Sequence, residues 1–143
     1  MAIKQLTVFV ENRQGTLVEI TDLFAVNSID MRALSIADTQ DFGILRVIVS
    51  DTAEAYRVLR TRGYLVQETE VIAVKISDAP GKLSAALHTL NLKGINVEYL
   101  YAFLARTQRH AYVVLRVTDN NAASAALEEA GFHMVSEADI KKL

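Results

Sequence analysis

An internal repeat is the feature that most constrains how this chain folds. Shifting the sequence by 66 residues against itself aligns Val8 with Val74, Gly15 with Gly81, Leu17 with Leu83, Ile29 with Ile95 and Leu34 with Leu100. Beyond the RTQRH segment the best shift is 68, which aligns Val49 with Val117, Asp51 with Asp119, Leu59 with Leu127 and Gly63 with Gly131. Two extra residues in one surface loop explain the change, because loops tolerate insertions. We therefore predict two copies of one unit, residues 1–68 and 69–143.

Each copy has the hydrophobic pattern of a βαββαβ unit. In the first copy, alternating Leu6, Val8 and Val10 predict a strand, and apolar residues from Leu17 to Phe24 then recur at helical spacing. Further strands are predicted at 29–37, 43–50 and 64–69, with a hairpin loop at 39–43 and a second helix that is capped by Asp51 and closed by Gly63. The second copy predicts a strand at 70–77, a helix at 81–93, strands at 96–104 and 110–118, a helix at 120–130 and a strand at 132–136. The predicted fold class is α+β, with two ferredoxin-like units.

The alternation within the strands predicts which sheet face the helices cover. The inner sets are Val8 and Val10; Leu45, Val47 and Val49; Ile72, Val74 and Ile76; and Val113, Leu115 and Val117. The opposite face carries Thr7, Arg46, Lys75 and Arg116, but also apolar Phe9, Ile44, Ile48, Val71 and Tyr112. Because that face is too apolar for plain solvent-exposed surface, a partner is expected to cover part of it.

The second strand of each copy is expected at a sheet edge, where exposed apolar residues invite aggregation unless they are covered. The simplest cover is pairing between Asp30–Ala37 and the strand at 96–104, which predicts one eight-stranded antiparallel sheet with helices on one face. Dimer contacts are the alternative cover for these edges.

Composition excludes several function classes. The 143 residues carry 15 Lys and Arg against 17 Asp and Glu, so the net charge of -2 argues against a nucleic-acid-binding protein. With no cysteine there is no disulfide, thiolate nucleophile or Cys-ligated zinc. The longest apolar run, Tyr99 to Ala105, is too short to span a bilayer, and the N-terminus lacks the pattern of a signal peptide. A cytoplasmic protein without membrane contact is expected.

No catalytic or metal-binding constellation is recognised. His88, His110 and His133 lie far apart in the sequence without metal-ligand spacing, and we expect them on surfaces or at strand ends. Phosphate-binding glycine motifs and the sequence motifs of serine and zinc hydrolases are also missing. The sequence therefore predicts a protein that is not an enzyme and needs no cofactor.

The turn between the first strand and the first helix of each copy has the composition of an anion site. It reads Asp78–Ala79–Pro80–Gly81–Lys82–Leu83 in copy two and Asn12–Arg13–Gln14–Gly15–Thr16–Leu17 in copy one. A helix N-terminus presents unpaired N–H groups and a partial positive charge, which suit a carboxylate. The positive charge of Lys82 interacts unfavourably with the helix dipole, at a cost of about 0.3–1 kcal/mol, and a bound anion would offset this cost. The alternative is a plain capped helix start, with Asn12 or Asp78 accepting hydrogen bonds from the amides.

Together, the repeat, the D-x-P-G-x-L turn and the later Gly94–Ile95–Asn96 resemble ACT domains, and the tandem arrangement resembles the small stand-alone two-ACT proteins of bacteria. The resemblance implies binding of a free amino acid where the strand–helix turn of one domain meets the second strand of a neighbouring domain. It implicates Asp78, Pro80, Gly81, Lys82, Leu83, Ile95, Asn96 and Val97 in copy two, and Asn12, Gly15, Thr16, Leu17, Ile29, Asp30 and Met31 in copy one. Copy one departs from the family pattern at Asn12, Gln14 and Ser28, which leaves open whether both sites bind the same ligand.

The leading hypothesis is a non-catalytic regulatory protein that binds an amino acid between ACT domains and forms a homodimer. Helix-start amides would receive the α-carboxylate, and oxygens of Asn12, Asp30, Asp78 or Asn96 would accept from the α-ammonium group. A ligand that touches two domains can shift their relative stability, which is the basis of allosteric regulation. The rival hypothesis is an adaptor that docks a partner enzyme through the open sheet face and has vestigial pockets.

Overall fold

The computed structural model describes residues 2–38, 40–105 and 107–143, so Thr39 of the predicted hairpin loop and Arg106 of the RTQRH segment lie outside the described residues. Within these ranges the strands are β1 Ile3–Glu11, β2 Met31–Asp38, β3 Phe42–Val49, β4 Leu65–Ser77, β5 Val97–Ala102, β6 His110–Val117 and β7 His133–Met134. The helices are α1 Thr16–Val26, α2 Thr52–Thr61, α3 Lys82–Leu92, α4 Asn120–Glu129 and α5 Glu137–Ile140.

The chain divides into two compact units. One is Lys4–Thr69, called the first unit below, and the other combines Met1–Ile3 with Glu70–Leu143 and is called the second unit. The strand order is β2-β3-β1-β4 in the first unit and β7-β4-β6-β5 in the second. Both orders are those of a ferredoxin-like βαββαβ unit with antiparallel strands, as the repeat predicts.

The predicted eight-stranded sheet is wrong in two respects. The described residues form seven strands, because the strands predicted at 64–69 and 70–77 are the single strand β4. β2 pairs with β3 and β5 pairs with β6, and among the described residues no ladder joins β2 to β5. The segment Glu68–Thr69–Glu70 contains neither Gly nor Pro, so nothing in the local backbone ends the strand there.

Each unit has its own hydrophobic core between its sheet and its two main helices. In the first unit, Val8, Leu45 and Val47 of the sheet pack with Ile20 and Phe24 of α1. The second core contains the predicted inner residues Ile72, Val74, Ile76, Val113, Leu115 and Val117, packed with α3 and α4. The sheet face that the alternation assigned to the helices is therefore confirmed.

The opposite sheet face is less exposed than the sequence suggested. Ile48, Val71 and Tyr112 are buried within the chain, whereas Phe9 is 37% exposed. Tyr112 also packs against Phe103, with 6.3 Å between ring centroids. Ile44 is half-buried, so Phe9 and Ile44 are the apolar residues of this set that a partner could still cover, and such cover stays a prediction.

The second helix of each unit begins in the same way. The Asp51 carboxylate accepts a hydrogen bond from the Glu54 amide at 3.1 Å, and the Asp119 carboxylate accepts one from the Ala122 amide at 3.0 Å. The predicted cap at Asp51 is confirmed, and its repeat counterpart has the same role. These caps fix α2 and α4, whose C-terminal turns approach the sites described next.

Candidate functional site

The turns that lead into α1 and α3 have nearly identical backbones. Gly15 and Gly81 are the residues preceding the helices, with φ of 92° and 86°, and neither helix start has a side-chain cap. A Cβ at either glycine would meet nothing within 4 Å, so glycine is required by the left-handed backbone and not by lack of space. The amides of the first helical turn are therefore left without a capping side chain in both units.

Asn12 and Asp78 do not have the capping role that the sequence suggested. The Asn12 side-chain amide donates to the Gln40 carbonyl at 3.5 Å, and its backbone N–H donates to the Asp41 carbonyl at 2.9 Å. The Asp78 backbone N–H likewise donates to the Arg109 carbonyl at 2.7 Å. Both residues instead join the strand–helix turn to the β-hairpin of their own unit, and the alternative of a side-chain-capped helix start is wrong for both turns.

A cavity of about 450 Å³ lies beside the start of α1, and we call it the Thr16 cavity. The end of β1, the first turn of α1 and the segment after α2 form its walls. Its lining residues are Phe9, Val10, Glu11, Arg13, Thr16, Glu19, Phe42, Arg62, Gly63, Tyr64 and Leu65. All of them belong to the first unit, so this site is complete within one unit.

Thr16 stands out because its hydroxyl is both buried and unsatisfied. The residue is 3% exposed, and its Oγ1 has no hydrogen-bond partner in the described part of the chain. An unpaired buried hydroxyl costs about 1–3 kcal/mol, so native proteins rarely retain one without a reason. A hydroxyl at a helix start that borders a cavity is well placed to bond a ligand.

The ionisable side chains around Thr16 carry both signs of charge. Glu11 accepts a hydrogen bond from the Arg13 guanidinium at 2.9 Å, and Arg62 supplies a second cation. Burial and a hydrogen bond with Glu19 raise the pKa of the Tyr64 hydroxyl above its ordinary value. With two carboxylates and two guanidinium groups the cavity is formally neutral, and it offers separate partners for a positive and a negative group.

The second unit has a cavity of about 720 Å³ at the corresponding place, which we call the Lys82 cavity. Its lining residues are Lys75, Ile76, Ser77, Lys82, Ala85, Thr89, His110, Ala130, Gly131, Phe132 and His133. The two repeat shifts align most of them with residues of the Thr16 cavity, including Lys82 with Thr16 and Gly131 with Gly63. Here, however, no acidic side chain is among the described lining residues, and the four ionisable ones are all basic.

The remaining predicted site residues divide between other cavities and the two cores. Gly15 borders a cavity of about 610 Å³ between α1 and α2, and Leu83 borders one of about 450 Å³ on α3. Of the second-strand residues, Ile29 is buried in the first core, while Met31, Ile95 and Val97 pack against the cores. Asp30 forms an ion pair with Arg32 at 3.0 Å, and the exposed residues Leu17, Asp78, Pro80, Gly81 and Asn96 line none of these four cavities.

Sequence reasoning missed most of the residues that the structure brings to these cavities. Arg62, Tyr64, His110 and His133 follow other helices or begin other strands, so no local motif links them to the strand–helix turn. The repeat alignment contained a usable signal, because four positions that are Phe9, Thr16, Phe42 and Leu65 in copy one are all basic in copy two. His110 and His133 begin β6 and β7, so the expectation of strand ends is confirmed for them, and both border the Lys82 cavity.

Nowhere in residues 2–38, 40–105 and 107–143 do three His, Asp or Glu side chains come together in a way that could hold a metal ion. No helix in these ranges is long and apolar enough to cross a membrane.

Comparison with known proteins places these features in a family. The sequence model of a family described as "ACT domain pair" matches residues 1–143. The structure is similar to protein BT0572 from Bacteroides thetaiotaomicron, with a TM-score of 0.93 and 36% identity over 100% of this chain and 98% of that one. A search among curated proteins finds no match.

More distant structural matches include a regulatory subunit of aspartate kinase and a longer aspartate kinase chain. The ligand-free regulatory subunit of aspartate kinase from Thermus thermophilus matches with a TM-score of 0.68 and 16% identity, over 90% of this chain and 92% of that one. Aspartate kinase from Synechocystis matches with a TM-score of 0.60 and 19% identity, over 90% of this chain but 26% of that one. At these identities the similarity shows a shared fold.

Proposed function

This chain belongs to the ACT domain pair family, and from that membership we propose that it is a non-catalytic regulatory protein that binds a free amino acid. We assign one ACT domain to residues 1–68 and the other to residues 69–143. The same fold forms the regulatory subunit of aspartate kinase in Thermus thermophilus, so it is compatible with a regulatory role. We also propose that the protein acts as a homodimer on a partner enzyme.

The unpaired hydroxyl of Thr16 is the observation on which the binding site depends. A ligand carboxylate at the start of α1 would accept from the Thr16 hydroxyl and from helix-start amides, which no side chain of the chain caps. Burial of the hydroxyl makes such a bond valuable, because the alternative is a donor without a partner. The site therefore favours a ligand with an oxyanion that lies within hydrogen-bonding distance of the Thr16 hydroxyl.

The mixed charge of the Thr16 cavity favours a zwitterion over a simple anion. Arg13 and Arg62 support a carboxylate, whereas Glu11 and Glu19 support an ammonium group. Phe9, Phe42 and Leu65 are exposed apolar residues on the cavity wall and offer contacts to an apolar ligand side chain. An α-amino acid combines these three groups in one small molecule.

The resemblance to ACT domains suggests that a neighbouring domain forms a second wall of the binding pocket. It implies that the second strand of a neighbouring ACT domain completes the pocket next to the strand–helix turn, with residues such as Asp30 and Met31 or Asn96 and Val97. A second copy of the chain can supply such a domain.

The test is thermal denaturation in the presence of each of the twenty amino acids, with the Thr16→Val variant alongside the wild type. A ligand at about 100 times its Kd adds about 2.7 kcal/mol to the free energy of unfolding, which is a clear shift in Tm. Loss of the hydroxyl is expected to raise Kd by about tenfold. Without ligand, Thr16→Val should be at least as stable as the wild type, because it removes an unpaired buried polar group.

The control is Thr21→Val, which removes an exposed hydroxyl of α1 outside the Thr16 cavity. It should leave the ligand-induced shift in Tm unchanged. A shift in Thr16→Val as large as that of the wild type would contradict the assigned site. A panel in which no amino acid shifts the wild type would contradict the function itself and favour the adaptor hypothesis.

A further inference from the structure

We propose that the Lys82 cavity of the second unit is a separate site for a small multivalent oxyanion, either a phosphate or a dicarboxylate. This ligand class differs from the amino acid proposed for the Thr16 cavity. The cavity lies within one unit, and its charges differ from those of its repeat counterpart.

Four different elements bring basic side chains to this cavity. Lys75 comes from β4 and Lys82 begins α3, whereas His110 begins β6 and His133 begins β7. Basic residues that converge from separate elements are not the solvated face of one helix. None of the four forms an ion pair within the described part of the chain. Lysine charges without a protein counterion favour an external anion.

The repeat provides an internal comparison on almost the same backbone. The positions of Lys75, Lys82, His110 and His133 correspond to Phe9, Thr16, Phe42 and Leu65 in the first unit, and Ala85 corresponds to Glu19. The second unit therefore has four basic groups and lacks the carboxylates that balance the Thr16 cavity. The two lysines and the loss of Glu19 make the cavity of the second unit more positive, and they outweigh the loss of Arg62, whose counterpart is Ala130.

The α3 helix adds to this potential. Its first turn contains no acidic residue, whereas Glu19 lies in the first turn of α1. Lys82 itself occupies the first helical position, where a cation is unfavourable unless an anion is nearby. The helix start and the lysines therefore support the same ligand charge.

Two acidic residues lie near the cavity but are not among its lining residues. Asp139 interacts electrostatically with His133, but its carboxylate accepts hydrogen bonds from the Ser136 amide and hydroxyl, both at 2.9 Å. Asp78 lies in the exposed turn before α3 and does not line the cavity. A ligand with an ammonium group would find no carboxylate among the described lining residues, which is why we infer an anion and not a zwitterion.

The experiment is calorimetric titration of the full chain with inorganic phosphate and with succinate, and acetate serves as the monovalent comparison. We expect the two multivalent anions to bind more tightly than acetate. Lys82→Thr, which installs the residue of the first unit, and Lys75→Gln should each raise Kd by about tenfold, as expected for loss of a charge-assisted hydrogen bond. Binding of phosphate alone would identify the oxyanion as a phosphate, and binding of succinate alone would identify it as a dicarboxylate.

The matched control is Lys93→Gln, which removes one positive charge at the end of α3, outside the cavity. Equal weakening by Lys93→Gln and by Lys82→Thr would overturn the proposal, because it would show non-specific attraction. Failure of the wild type to bind either multivalent anion would overturn it as well. Thr16→Val should leave phosphate or succinate binding unchanged, so this site and the amino acid site can fail independently.

Discussion

At the scale of single residues, the left-handed backbone positions show how far the repeat extends. Ser28 has φ of 56°, and its counterpart Gly94 has φ of 70°. Both follow the first helix of their unit, and the next residue in each case donates back to the helix, Ile29 to Phe24 at 2.9 Å and Ile95 to Leu90 at 3.0 Å. The sequence marked Ser28 only as a departure from the family pattern, and the structure shows that it keeps the glycine conformation.

This conformation predicts that Ser28→Gly stabilises the chain. A non-glycine residue pays about 1–2 kcal/mol in the left-handed region, and glycine loses about 0.5–1 kcal/mol in chain entropy, so a net gain of about 0.5–1 kcal/mol is expected. Urea denaturation at pH 7 measures it. The reverse change, Gly94→Ser, should lower the free energy of unfolding by a similar amount. Equal effects of the same sign would show that side-chain contacts, and not backbone strain, control these positions.

The roles of individual side chains at the site were predicted least well from the sequence. Asn12 and Asp78 lie in the predicted turns but are not capping groups, because Gly15 and Gly81 precede the helices and neither helix start has a side-chain cap. Thr16 was named as part of the strand–helix turn and through the family resemblance, but its unpaired hydroxyl depends on burial that no local pattern encodes. Residues that border a cavity from several elements become visible only after folding.

At the scale of secondary structure, most elements followed from periodicity and capping. The strands, the four main helices and the Asp51 cap agree with the sequence pattern to within a few residues at their ends. The exceptions have local causes. β4 is continuous because no turn residue interrupts it. The last predicted strand, 132–136, shrinks to His133–Met134 because Ser136 is the N-cap of α5. A helix of four residues is too short to show a period, although Ser136 and Asp139 have capping-box spacing.

The capping box of α5 predicts an acid-dependent loss of stability. Hydrogen bonds from Ser136, first from its amide and then from its hydroxyl, lower the pKa of Asp139 below 3.8. A carboxyl with a depressed folded-state pKa stabilises the fold above its unfolded-state pKa and loses that effect as pH falls through the folded-state value. Asp139→Asn should therefore be less stable than the wild type at neutral pH, and the difference should shrink below pH 3.8.

Urea denaturation at a series of pH values from neutral to acid measures this difference. Glu128→Gln, at an exposed position of α4, is the control and should show a smaller and flatter difference. A difference for Asp139→Asn that stays constant through the acid range would contradict a role for the ionised carboxylate.

At the scale of the whole molecule, the exposed edge residues bear on assembly. The sequence correctly predicted that β2 and β5 are edge strands with apolar side chains. The predicted pairing of these two strands with each other was wrong. Ile36 is 46% exposed and Leu100 is 39% exposed, and within the described residues each strand forms a ladder on one side. Periodicity locates such an edge, but it cannot choose between pairing within the chain and pairing with another chain, since both satisfy the same backbone groups.

We expect these edges to mediate the proposed homodimer. Ile36→Lys should weaken dimerisation in sedimentation velocity, because a charge at an apolar strand edge opposes pairing and must lose its hydration in the interface. Val18→Lys is the control, since Val18 is a 62% exposed apolar residue of α1 and lies on no strand edge. If the amino acid pocket needs a second copy, Ile36→Lys should also reduce the ligand-induced shift in Tm, because binding and assembly are then linked. A monomer that binds amino acid as tightly as the wild type would show that one chain holds the whole site.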